Sequence, residues 1–117
     1  MTFDEYQKLA ERTMRFDRSR HDFPLQMHDL LMHALLGLPA EVGEVEGVFQ
    51  KSYQGHPIDE RHLKREMGDV LWMLAELCTA NRWDLNEIAY MNIEKLRERY
   101  PEGFSKERSL HRREGDV

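Results

Sequence analysis

Little in this sequence could be cross-linked, threaded through a bilayer or stacked as repeats. One cysteine, Cys78, stands in 117 residues, so no internal disulfide can form. Its apolar neighbours make it a buried thiol in a reducing compartment. No apolar run approaches the roughly 20 residues that span a bilayer. The opening Met1-Thr2-Phe3-Asp4-Glu5 carries two acids and no signal-peptide stretch. A cytoplasmic protein with no membrane partner is therefore expected. Basic residues are also scarce, 17 Lys and Arg against 22 Asp and Glu. The net charge of -5 argues against nucleic acid as a partner, because phosphate backbones are normally met by basic surfaces. Period-two alternation is missing, so strands are not expected.

What remains is helical. Thr2, with Glu5 three residues on, is a good N-cap for a first helix reaching about Asp17. Arg18 to Pro24 reads as a loop. A second helix is predicted from about Gln26 to Tyr53, with Leu31, Leu38, Val42, Val45 and Phe49 on one face. Pro39 should kink it or restart it. Gln54-Gly55-His56-Pro57 is a stop, and a third helix is expected from about Asp59 to Asn81. A fourth runs from about Asp84, as N-cap, to Tyr100, where Pro101 and Gly103 end it. The reading is all-α, a bundle of about four helices over residues 1–104. A charged tail follows over 105–117, frayed or ordered only by a partner or ligand. Between Val70 and Cys78 only Glu76 is polar. A helix apolar nearly all round needs cover on several sides, which oligomerisation would supply, or else it is the central helix of the bundle.

The chemistry is carried by two copies of one spacing. Glu41-Val42-Gly43-Glu44 and Glu66-Met67-Gly68-Asp69 each place two carboxylates three apart, which on a helix makes them neighbours. If the two apolar stripes pack together, Glu41, Glu44, Glu66 and Asp69 converge. Four ionised carboxylates in one volume repel one another unless protonated, paired with bases or bridged by a cation. An all-oxygen donor set favours magnesium, with manganese as substitute, over zinc or copper. Such an ion neutralises phosphate oxygens and activates water. Gly43 and Gly68, one inside each pair, suggest that the two backbones approach closely there. Asn92 and Lys95 share a face of helix four with Arg99 one turn on. They suit phosphate oxygens, although a solvated basic helix end has the same spacing.

Three segments together resemble a known family: Gly37-Leu38-Pro39-Ala40-Glu41-Val42-Gly43-Glu44-Val45, then Glu66-Met67-Gly68-Asp69-Val70-Leu71-Trp72, then Asn92 to Phe104. The sequence is similar to the MazG-like all-α nucleoside triphosphate pyrophosphohydrolases, whose pattern is ExxE, a spacer, then ExxD. The 21 residues between Glu44 and Glu66 suit that spacer. The resemblance implies hydrolysis of ribo- or deoxyribonucleoside triphosphates between the α and β phosphates, releasing pyrophosphate and a monophosphate, with nucleotide-pool housecleaning as the expected purpose. It implies magnesium on Glu41, Glu44, Glu66 and Asp69, phosphate contacts from Asn92 and Lys95, with Arg99 as an addition, and a homodimer or homotetramer.

Other residues carry less. His21, His28, His33, His56, His62 and His111 form no HExxH pair and have no cysteine at ligand spacing, so a zinc site is not expected. His33 and Trp72 are candidates for a base pocket, though a tryptophan in so apolar a run is ordinarily core or interface. Two alternatives share the scaffold: a phosphoribosyl-ATP pyrophosphohydrolase-like enzyme, and a non-catalytic helical interaction module.

Overall fold

The computed structural model describes residues 1–15 and 19–117. Among the described residues five helices follow in order: α1 (Phe3–Glu11), α2 (Phe23–Tyr53), α3 (Glu60–Asn81), α4 (Leu85–Arg99) and α5 (Lys106–Leu110). No strand forms among the described residues. The all-α expectation holds. The chain divides into two compact units, Met1–Leu85 and Asn86–Val117.

Local sequence explains most boundaries. The Thr2 hydroxyl accepts from the Glu5 amide and the Glu5 carboxylate accepts from the Thr2 amide, closing the expected capping box. Helix α1 ends at Glu11, short of the expected Asp17, which lies outside the described residues. Its end tightens because Thr13 and Met14 donate to carbonyls three residues back and the Thr13 hydroxyl also donates to the Ala10 carbonyl. Helix α2 begins three residues before the expected Gln26, at Phe23, because Pro24 opens its first turn instead of closing a loop. It also continues through Pro39 as one helix, so it does not restart there. Proline removes one backbone bond there, and Leu35, whose carbonyl loses that partner, is on an exposed turn. Helix α3 starts where expected, and Asp59 caps it through the amides of Arg61 and His62.

Helices α2 and α3 run antiparallel along one seam, for Glu41 meets Glu66 and Asp69 near one end and His33 meets Glu76 near the other. Their closest approach is at Gly37, where an added Cβ would lie 2.5 Å from the Met73 sulfur. Gly43 and Gly68 face nothing within 4 Å, so the expected close packing at the acidic pairs is not found. The core gathers Ala10, Met14, Leu30, Ala75, Cys78 and Leu85, with Tyr6, Met27, Leu71, Trp72 and Ala80 packed around it. Burial, with a smaller contribution from the charge of Asp84, pushes the Cys78 thiol up, leaving an unreactive core residue. Gln7 of α1 ties the elements together. Its amide donates to Thr79 Oγ1 and the Trp83 carbonyl, and its oxygen accepts from the Leu85 amide at 2.8 Å, satisfying an otherwise unpaired donor at the start of α4.

The tail is more structured than expected. Ser105 caps α5 through the Arg108 amide, and the following turn carries Asp116 back to Arg99 of α4.

Candidate metal centre

Glu41 projects from the middle of α2, and Glu66 and Asp69 sit one turn apart on α3. One carboxylate oxygen from each lies within 4.8 Å of the other two. Three acids from two helices thus share one small volume, with Glu41 and Glu66 half-buried and Asp69 exposed. The donor set is all oxygen, and its three negative charges are held together by the packing of the seam. Both features fit a hard divalent ion, which would relieve the repulsion and leave coordination positions for water and phosphate.

Glu44 is placed differently. It is exposed and stands outside the three-carboxylate group. Three residues turn a helix by about 300°, so Glu44 points about 60° away from Glu41. On α3 the same offset keeps both acids in the group. The difference is orientation: the seam lies between Glu66 and Asp69 but to one side of the Glu41–Glu44 pair.

One neighbour of the cluster went unread in the sequence. His62 Nε2 lies 3.4 Å from Glu66 Oε1, one turn earlier on α3. Its spacing to Glu66 is the signal that could have found it. Tyr6 responds to the same acids: burial pushes its phenol up, and the charge of Asp69 adds to the effect. It is held as a neutral hydroxyl.

Two turns along the seam the arrangement changes. Glu76 is 1% exposed, and both its oxygens contact His33 Nδ1, at 2.8 and 3.0 Å. An ionised Glu76 requires the hydrogen on Nδ1, which leaves Nε2 of the exposed His33 ring available on its other side. The pair lines a cavity of about 590 Å³ together with Arg15, Arg20, Gln26, Asp29 and Leu30. Trp72 is not part of that lining. Its ring nitrogen donates to Thr13 Oγ1 at 2.9 Å, and its ring stands edge-on to His33, with centroids 6.2 Å apart. It braces the histidine from behind.

In the second unit, Asn92 and Lys95 are exposed on α4. Arg99 is not: its Nε and one Nη donate to the two oxygens of Asp116 at 2.7 and 2.5 Å.

Comparison with curated proteins and with solved structures finds no match. A family match is found, and it covers most of the chain, including nearly all of α2, the whole of α3 and α4, and all three converging acids. Residues 26–104 match the MazG nucleotide pyrophosphohydrolase domain, and the chain belongs to that family.

Proposed function

We propose that this protein hydrolyses nucleoside triphosphates between the α and β phosphates in a magnesium-dependent reaction, giving a nucleoside monophosphate and pyrophosphate. The observation that carries the reading is the convergence of Glu41, Glu66 and Asp69 within 4.8 Å, inside the region matched to the family. These three would hold the ion, and Glu44 would join them by a change of rotamer from one turn along α2. When bound, magnesium supplies neutralisation of phosphate oxygens and a more acidic attacking water. The remaining work falls to the chain. Any of the three acids left with a free oxygen can orient a water and take its proton. Asn92 and Lys95 offer an amide and an ammonium to phosphate oxygens.

The cavity beside His33 is suited to the nucleobase. By helix rise, His33 is about 12 Å from Glu41 and Glu76 about 10 Å from Asp69, the scale of a nucleoside triphosphate from its reacting phosphate to its base. His33 Nε2 would face the base, with its ring fixed by Glu76 and by Trp72 behind. A second copy of the chain would cover the apolar side chains that α2 exposes, among them Leu25, Leu36 and Phe49.

The test is a panel of ribo- and deoxyribonucleoside triphosphates incubated with and without magnesium, with products separated by chromatography. Magnesium-dependent monophosphate and pyrophosphate are expected. Diphosphate with free phosphate would overturn the reading, as would turnover indifferent to the metal.

A further inference from the structure

Beyond the family-matched residues, the segment 105–117 folds back onto α4 and encloses a cavity of about 350 Å³. Its charged lining is lopsided. Lys95 and Arg99 of α4 are joined by Arg108, Arg112 and Arg113 of the tail, against Glu98, Glu114 and Asp116. Asp116 spans the Arg99 guanidinium with both oxygens, and the two side chains are only 11% and 18% exposed. The tail buries little else: helix α5 contains no buried residue and Leu110 at its end is 68% exposed, while Phe104 just before the tail rests on the Tyr100 ring at 5.6 Å. Gly115, with φ of +84°, sets the turn that presents Asp116.

A carboxylate on an arginine fork has the geometry of a phosphate on the same fork, with fewer oxygens and less charge. We propose that α4 and the tail together form an oligophosphate-binding site in which Asp116 occupies Arg99 until a phosphate group displaces it. The exchange changes the balance in the cavity. With Asp116 withdrawn, five cations face two carboxylates, and the incoming phosphate chain meets Arg108, Arg112 and Arg113 as well as the residues of α4. The hydrogen bonds to Arg99 hold the Asp116 carboxyl below its ordinary range, so at neutral pH it is an ionised competitor. A lightly anchored segment can be released at small cost, which is what such an exchange requires.

The inference rests on the reading of α4 as phosphate-binding, but its test needs neither magnesium nor turnover. Binding of inorganic tripolyphosphate to the full chain is measured by calorimetry in excess chelator, for the unchanged protein, for Asp116→Asn, and for Arg112→Gln with Arg113→Gln. Asp116→Asn should bind about three- to tenfold more tightly, because the competing state is removed. The double variant should bind several-fold more weakly. In parallel, amide exchange should quicken over 114–117, which carry Asp116 away, and not over 108–113, which meet the phosphate, when tripolyphosphate is added. Pyrophosphate and a nucleoside triphosphate are run as separate arms. Release of Asp116 by either supports the site, and the stronger of the two identifies product or substrate as its occupant. Equal or weaker binding by Asp116→Asn would overturn the exchange and make Asp116 a positioning residue. Sulfate competing as well as tripolyphosphate at matched ionic strength would overturn it too, leaving only a basic surface. Loss of hydrolysis without loss of this binding would count against the catalytic reading alone.

Discussion

The two ends of the α2–α3 seam hold similar residues in opposite electrostatic states. Near one end Glu41, Glu66 and Asp69 crowd together with His62 at their edge. Near the other, a single and more deeply buried acid, Glu76, has both oxygens on one histidine. A buried carboxylate needs hydrogen-bond partners, and Glu76 finds its own inside the fold. The triad does not, and stays close to solvent where an ion can reach it. At one end the acid is paired within the fold, with His33 Nε2 still open on its other side; at the other, on the proposed reading, an ion would bridge the acids.

That contrast can be broken most sharply by the same substitution at both ends. Glu41→Gln or Glu66→Gln should lower magnesium-dependent pyrophosphate release by about 100- to 1,000-fold, measured at saturating nucleotide. Glu76→Gln should leave the metal dependence in place, since its amide can still meet His33. Equal losses at both ends would mean that the two sites are one. Magnesium itself should stabilise the native chain by about 2.7 kcal/mol at a hundred times its dissociation constant, read as a rise in Tm. This rise should vanish in Glu66→Gln and persist in Glu76→Gln.

Removing the partner at the paired end is a stability experiment. His33→Ala leaves Glu76 buried without its hydrogen bond and should cost about 1–3 kcal/mol in denaturant unfolding. No comparable cost is expected from Glu41→Ala, which relieves like-charge repulsion in the absence of metal. Glycines give a smaller comparison. Gly43→Ala fills open space on a helix and should gain about 1 kcal/mol, whereas Gly37→Ala must first move Met73 and should gain less or lose. The smallest effect concerns the tail. The folded value of Asp116 lies below its ordinary 3.8, held there chiefly by Arg99, with smaller contributions from Arg112 and Lys95. Its contribution is therefore complete above that value and is lost as pH falls through the lowered one. Amide protection over 105–117 should be flat from neutrality to about pH 4 and decline below it.

The sequence carried the helices well because their caps are local: Thr2, Asp59 and the Gln54–Pro57 stop act within a few residues. Pro24 was misread as closing a loop, and Pro39 does not restart the helix that contains it. A proline's effect depends on whether the lost bond lies in a first turn, as at Pro24, or on an exposed turn, as at Pro39, and neither is local information. The acid spacing was legible to the level of a face but not of 60°, so the sequence alone treated Glu44 like Glu41. Glu76 shows the limit most clearly. In an apolar run it looks like the one residue facing water, yet it is the most buried large side chain, and Leu74 nearby is the more exposed. What decides that is His33, 43 positions away in the chain.

The three hydrogen bonds of Gln7 have a consequence for the order in which the molecule assembles. They join residues 72, 76 and 78 positions apart, so α1, although first in chain order, can be fastened only after α3 and the start of α4 exist. Contacts of such separation form late, because the intervening loop must close before they repay its entropy. During synthesis the α2–α3 hairpin can form while α1 is still unattached, its apolar face open to chaperones and proteases. Gln7→Ala should thus change the unfolding rate more than the folding rate. The first helix serves as the final bolt, and the seam that brings Glu41, Glu66 and Asp69 together is built before it is drawn.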